Sequence, residues 1–306
     1  MNKLAIVIPA YKPDFLEKSL QSLASQKDQR FSVYVGIDAS PYSLEGIIEP
    51  FKERLDLKIH RFNDNLGGTN LVGQWERCIS LCQDEEWICL FSDDDVMQPN
   101  CVASFYQSII PEDINVLHFD IEIIDETDSV LQVCPAFPRR IDNASYFDLL
   151  FRRKLVARMP EFIFRKSFLC KNGIVPFDMA WRSDTATILS AARSGGIWTL
   201  AGNNNKVLWR ASTKNISGQS SLKKRKNKAN IAFFNWVYGQ DFSIKMSTFH
   251  LLKTIVFSLE YDSAWQFYLD GCRAIVRLKF AKWHRLLCFL FIHYRIPYHW
   301  VETHRT

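Results

Sequence analysis

The chain has 306 residues, 47% hydrophobic and 14% aromatic, enough for one large α/β domain or one domain with an appendage. Its eight cysteines are scattered, none forms a CxxC pair and several sit in apolar runs, which excludes a disulfide framework or a zinc ribbon and reads as thiols in a reducing compartment. The net charge of +5 is uneven: from residue 205 onward Lys and Arg outnumber Asp and Glu by 17 to 5, whereas before it they are outnumbered 28 to 21, so the basic end predicts an anionic partner.

Lys3 to Pro9 is a β-branched strand, and Pro13-Asp14 starts a helix with Phe15, Leu16, Leu20 and Leu23 at helical spacing. Met1-Asn2-Lys3 leads straight into that strand, so no secretory leader is expected. Phe31 to Ile37 is a second strand ending at Asp38. Residues 43–54 read as a helix and Leu57 to Phe62 as a third strand. The loop Asn63-Asp64-Asn65-Leu66-Gly67-Gly68 follows, then a helix over Thr69 to Cys82. Strands alternating with helices predict a parallel sheet with right-handed crossovers.

Trp87 to Phe91 is a short apolar run that reads as a strand buried on both faces, and it stops at Asp93, Asp94 and Asp95. Capping of the next helix, near Gln98-Pro99-Asn100, accounts for one Asp. It does not account for three adjacent carboxylates, whose repulsion costs stability without a cation. Ligands bind at the carboxyl edge of such sheets, and Mg²⁺ or Mn²⁺ takes one or two protein carboxylates with substrate phosphates completing its shell. The expectation is a metal–nucleotide site. Pro9 and Tyr11 after the first strand, Asp38 after the second, and Asn65 and Gly67 after the third gather at the same edge. Tyr11 is suited to stacking on a base, Asp38 to a base or ribose hydroxyl, and the glycines to close backbone approach. Neither GxGxxG nor GxxxxGK[ST] is present.

The pieces IVIPAYKP (6–13), IDAS (37–40), NDNLGG (63–68) and FSDDDVMQP (91–99) together resemble a family-2 glycosyltransferase of GT-A fold, a Rossmann-like, mostly parallel sheet flanked by helices. The resemblance implies a nucleotide-sugar donor, a divalent metal on its diphosphate and inversion at the anomeric carbon. It implies that Asp38 contacts the uracil or ribose end, that Asp93 lies near the ribose, and that Asp94, with Asp95 as a further member, holds Mn²⁺ or Mg²⁺. FSDDDVMQP resembles the family's DxD element, and Ser92 stands where many relatives have the first Asp of that element.

Asn100 to Ile110 reads as a helix. Val116 to Ile124 and Val130 to Cys134 read as a hairpin around Asp125-Glu126-Thr127-Asp128. A helix near Tyr146 to Arg153 and a short strand at Glu161 to Arg165 follow, with residues 171–177 as loop. Asp184 sits where a helix over Ser183 to Arg193 begins. An acidic residue there suits the helix dipole; it also suits the general base of a single displacement. The resemblance implies the second role, since family members carry an acidic residue at a helix start in this place. Trp181 beside it is a candidate sugar platform or a core residue.

Strands near 195–200 and Lys206 to Ala211 bring in Arg210. Residues 212–230 are polar and then strongly basic, and read as a mobile loop or a solvated linker. The resemblance implies a loop here that closes over the donor and brings Arg210 or Lys214 to the diphosphate. Residues 231–306 read as basic, aromatic-rich helices. Arg273 to Ile292 interleaves Arg277, Lys279, Lys282 and Arg285 with bulky apolar residues, a pattern for an anionic membrane interface or for packing on the main domain. No run reaches the roughly 18 apolar residues of a spanning helix. No nucleic-acid motif accompanies the charge.

The expected architecture is therefore a GT-A domain at 1–211, a basic loop at 212–230 and a helical C-terminal region at 231–306. The expected activity is metal-assisted, inverting transfer from a UDP-sugar to a glycan or lipid-linked hydroxyl in polysaccharide biosynthesis. The expected location is cytoplasmic and peripheral on the inner face of the cell membrane. The rivals are a nucleotidyltransferase and a catalytically silent nucleotide-sugar binder.

Overall fold

The computed structural model describes residues 2–212, 218, 220–240, 242, 250–251, 254–255, 258–259 and 276–277. Contacts divide the chain into two compact units, the first Met1–Pro176 with Ser183–Ser212, the second Phe177–Arg182 with Thr213–Thr306.

The first unit opens with β1 (Leu4–Ala10), α1 (Leu16–Ala24), β2 (Phe31–Ile37), α2 (Glu45–Ile48), β3 (Asp56–Arg61), α3 (Leu71–Ile79) and β4 (Trp87–Leu90). β1, β2 and β4 are buried nearly throughout, as their unbroken apolar runs require. Leu16, Leu20 and Leu23 put one face of α1 into the core. The expected helix over 43–54 is shorter: Pro50 lacks the amide proton an α-helix needs, and a 3₁₀ turn at Glu49–Phe51 replaces its second half. Asn70 caps α3 by accepting from Gly73 N at 2.9 Å.

Next come β5 (Val96–Met97), α4 (Cys101–Gln107), β6 (Val116–His118), β7 (Ile121–Ile124), β8 (Val130–Val133), β9 (Arg140–Ile141), α5 (Asn143–Phe151), β10 (Phe162–Arg165), α6 (Lys166–Asn172), α7 (Ser183–Ala191), β11 (Ile197–Thr199) and β12 (Val207–Arg210). The main sheet has the order β3-β2-β1-β4-β10-β6-β11-β9, and a second sheet the order β5-β12-β7-β8. The first four strands of the main sheet are parallel, as their helical crossovers dictate. β10 then inserts antiparallel between β4 and β6, so the sheet is mixed. β7 and β8 do pair as a hairpin. The run expected to be one strand over 116–124 is instead two, because the chain leaves the main sheet at Phe119-Asp120 and enters the second sheet at Ile121.

In the second unit α8 spans Lys223–Tyr238. The expected loop to Asn230 therefore ends at Lys223. Ala229, Ile231, Phe233, Phe234 and Val237 are buried, and apolar burial outweighs the polar character of the residues before them. Phe177–Arg182, expected in the first domain, belongs here. Asn230 Oδ1 accepts from Trp181 Nε1 (3.2 Å) and Arg182 Nε (2.9 Å), Arg225 pairs with Asp178 (2.6 Å), and Lys226 Nζ lies 4.8 Å over the Trp181 ring. Trp181 is thus a packing residue of this unit. Met179, Ala180 and Arg182 have φ of 58°, 55° and 74°, a left-handed backbone that these contacts hold in place. Lys214 and most of Arg273 to Ile292 fall outside the described residues. Among the described residues no helix is long and apolar enough to cross a membrane.

Candidate active site

The three carboxylates occupy the loop between β4, in the middle of the main sheet, and β5 of the second sheet. Each has a different environment. Asp93 Oδ2 accepts the amides of Tyr11 (3.0 Å) and Lys12 (3.2 Å), which ties the loop after β1 to the loop after β4. Burial pushes its carboxyl up, and those two amides pull it back. Asp94 is pushed up to about 7 by burial and then by the charge of Asp93, with Lys12 and Arg210 opposing. Asp95 is fully buried and raised well above the usual carboxylate range, by burial first and the charge of Asp94 second. Its Oδ1 accepts Arg210 N at 2.8 Å, while its Oδ2 has no hydrogen-bond partner among the described residues.

That set fits a hard divalent cation. An orphaned buried carboxylate oxygen and a neighbour pushed up by burial and then by like charge are both relieved by bound positive charge. Among the described residues no group of three or more His, Cys, Asp or Glu could hold a metal without help. A Mg²⁺ or Mn²⁺ site that takes one or two protein carboxylates and completes its shell with phosphate oxygens does not need one.

Residues 5–172 match the profile of glycosyl transferase family 2. The chain belongs to that family. It is a member of a glycosyltransferase family, which removes the nucleotidyltransferase reading. A stretch of 115 residues is 31% identical to the succinoglycan biosynthesis protein ExoW of Rhizobium meliloti; it covers 36% of this chain and only 34% of that relative. The fold is similar to that of S. aureus TarS 1–349 in complex with UDP-GlcNAc, with a TM-score of 0.73 at 14% identity over 98% of this chain and 92% of TarS 1–349. It is also similar to the mannosyltransferase PcManGT from Pyrobaculum calidifontis in complex with GDP-Man and Mn²⁺, with a TM-score of 0.55 at 11% identity over 97% and 87%. These likenesses establish the GT-A fold.

The other site residues expected of a family 2 glycosyltransferase are placed as follows. Pro9 lies in β1, and the Tyr11 carbonyl accepts from Ser40 Oγ at 2.6 Å. Asp38 is almost fully buried, and both its oxygens are used within the protein: Oδ1 accepts Leu66 N (2.9 Å) and pairs with Arg77 (2.5 Å), and Oδ2 accepts Gly67 N (2.9 Å). It therefore folds the Asn65–Gly68 loop. Gly67 is required by that contact, since a Cβ there would lie 2.6 Å from Asp38 Oδ2. Asn65 Oδ1 accepts Gly68 N at 2.8 Å and closes the same turn.

Asp184 stands in the first turn of α7, partly exposed, with Oδ1 accepting Thr185 N at 2.6 Å. Among the described residues no hydrogen bond links it to Asp93, Asp94 or Asp95. Arg210 is where expectation and structure differ most. It is fully buried, and its guanidinium is engaged by the Asp94 and Asp125 carbonyls and Asp128. Sequence reading also missed Arg77, which joins Asp38 to Asp64 (2.9 Å) and stacks 3.9 Å over Phe62. A lone Arg in a helix carries no local signal of a partner 39 residues away.

Proposed function

We propose that this family 2 glycosyltransferase moves a sugar from a nucleoside-diphosphate donor, preferentially a UDP-sugar, to a hydroxyl of a glycan or lipid-linked acceptor in one inverting displacement. The carrying observation is the acidic loop, where the buried Asp95 Oδ2 has no hydrogen-bond partner among the described residues and Asp94 is pushed up to about 7. Asp94 and Asp95 would hold Mn²⁺ or Mg²⁺, which when bound would neutralise charge on the donor diphosphate. Asp93 fixes the turn after β1, setting Tyr11, with Pro9 near the end of β1, beside the nucleoside. Asp38, Asn65 and Gly67 shape the loop that lines its other side. Asp184 takes the proton from the acceptor hydroxyl, from a partly exposed position in the first turn of α7. The UDP-GlcNAc and GDP-Man complexes of the structural neighbours support a nucleotide-sugar donor, and the name of ExoW supports a place in polysaccharide biosynthesis. The basic region from residue 205 supports peripheral contact with an anionic membrane surface.

The test is a panel of UDP-, GDP- and dTDP-sugars with Mn²⁺, following release of nucleoside diphosphate in the presence of candidate acceptors. One donor should be consumed. Asp94→Ala should abolish the metal-dependent part. Asp184→Asn should lower turnover by about 10²–10⁴-fold and leave donor binding intact. Full turnover by Asp184→Asn would remove the base assignment. The absence of metal-dependent nucleotide binding would remove the donor site.

A further inference from the structure

Arg210 ends β12 with its side chain fully buried, a costly place for a cation unless its donors are met. They are met by two separate stretches. Its main-chain N–H donates to Asp95 Oδ1 (2.8 Å), and its Nε donates to the Asp94 carbonyl (2.8 Å). On the other side Nη1 donates to the Asp125 carbonyl (2.6 Å), and Nη2 forms an ion pair with Asp128 Oδ1 at 2.6 Å. The guanidinium lies 4.5 Å from the Phe15 ring. The Asp125–Ser129 turn is itself wound tightly, since Asp125 Oδ1 accepts Thr127 N (2.8 Å) and Ser129 N (2.9 Å). Asp128, at φ 70°, also receives Lys18 Nζ at 2.5 Å.

We propose that Arg210 is a positioning residue for the acidic loop: its planar guanidinium fork fixes the Asp94 backbone against the turn between β7 and β8, while its main-chain N–H holds one Asp95 oxygen. This rests on the reading of Asp94 and Asp95 as the cation-holding pair. Arg210 does not touch the donor. Its main-chain N–H fixes one Asp95 oxygen, and so sets the direction of the other, which has no partner among the described residues. Its positive charge sits against the acidic loop, where adjacent carboxylates repel one another. Lysine keeps the charge but has no planar fork to span the Asp94 and Asp125 carbonyls.

Full-length wild type, Arg210→Lys, Arg210→Met and Asp128→Asn would be titrated with Mn²⁺ in the presence of UDP, following the paramagnetic resonance signal of free Mn²⁺. UDP binding without metal and thermal unfolding would be measured alongside. The Arg210 variants should lose about 10–100-fold in Mn²⁺ affinity, the range typical for partners that orient metal ligands, and Asp128→Asn severalfold. Metal-free UDP binding should not move, a split that a merely structural role would not produce. If Arg210→Met does not fold, Arg210→Lys and Asp128→Asn carry the test. Wild type that binds Mn²⁺ and UDP while folded Arg210→Lys and Asp128→Asn bind equally well overturns the positioning role. Wild type that binds neither overturns the donor-site reading instead.

Discussion

Single side chains in this protein are spent on holding loops as much as on facing substrate. Asp38 reads in the sequence as a ligand-facing carboxylate, yet two amides and Arg77 occupy it. The aspartates at 93–95 were legible because three adjacent carboxylates after an apolar run have no structural economy. The Arg210 contacts were not, because they depend on where two turns meet in space. His118 is a buried titratable group outside the site. It stacks on Phe137 (3.8 Å between centroids) and leans on Phe162, and neither ring nitrogen has a hydrogen-bond partner among the described residues. Burial pushes its pKa down to about 3. The unfolded chain takes up a proton near pH 6.5 and the folded chain does not, so stability is full above about 6.5 and lost as pH falls toward 3. By pH 5 the loss from this residue is about 2 kcal/mol. His118→Phe should flatten that part of the stability–pH curve, and should be neutral or stabilising at pH 7 because it removes unsatisfied polar atoms. Chemical denaturation at pH 7, 6 and 5 reads this out; parallel curves for the two proteins would refute it.

At the scale of elements, strands and helices follow local pattern where one face or both are apolar, and depart from it where the chain changes sheet. The β1–β4 succession is readable because crossover helices fix both direction and hand. The break at Phe119-Asp120 is not, because nothing in VLHFDIEII marks which half pairs with β10 and which with β12. The start of α8 was hidden in the same way, by lysines whose apolar partners lie later in the helix. Where β2 meets α3 the packing depends on a missing side chain. A Cβ at Gly36 would lie 2.3 Å from Cys78 Sγ and 3.1 Å from Phe62. Gly36→Ala should therefore cost about 1–3 kcal/mol by forcing the helix off the strand. Gly36→Ala/Cys78→Ala should recover most of that loss relative to Cys78→Ala alone, since the atom in the way is gone. Urea unfolding of the four proteins closes the cycle. Additive losses would show that Phe62 or the backbone, not Cys78, sets the limit.

For the molecule as a whole, the distribution of charge separates two kinds of work. The acidic excess before residue 205 includes the three carboxylates of the acidic loop; of the basic residues after it, Arg210 packs against that loop and Lys206 pairs with Glu122. Arg225 likewise pairs with Asp178. Lys224, Arg225 and Lys228 are nevertheless exposed in the first half of α8, and the chain beyond carries further Lys and Arg among aromatic residues. Such a surface is attracted to an anionic bilayer by about 1 kcal/mol per basic residue near it. The attraction is screened as the Debye length shrinks from about 10 Å at 0.1 M salt to about 3 Å at 1 M. The protein should therefore co-sediment with vesicles containing anionic lipid at low salt, release from them as salt rises, and ignore purely zwitterionic vesicles. Replacing Lys224, Arg225 and Lys228 by Gln should weaken binding without changing metal-dependent nucleotide binding, because those side chains lie outside the acidic loop. Salt-insensitive binding would point to insertion of the aromatic residues as the dominant force. No binding to either vesicle would assign the basic surface to an anionic acceptor in solution, and a lipid-linked substrate would then have to be recognised by its glycan or phosphate alone.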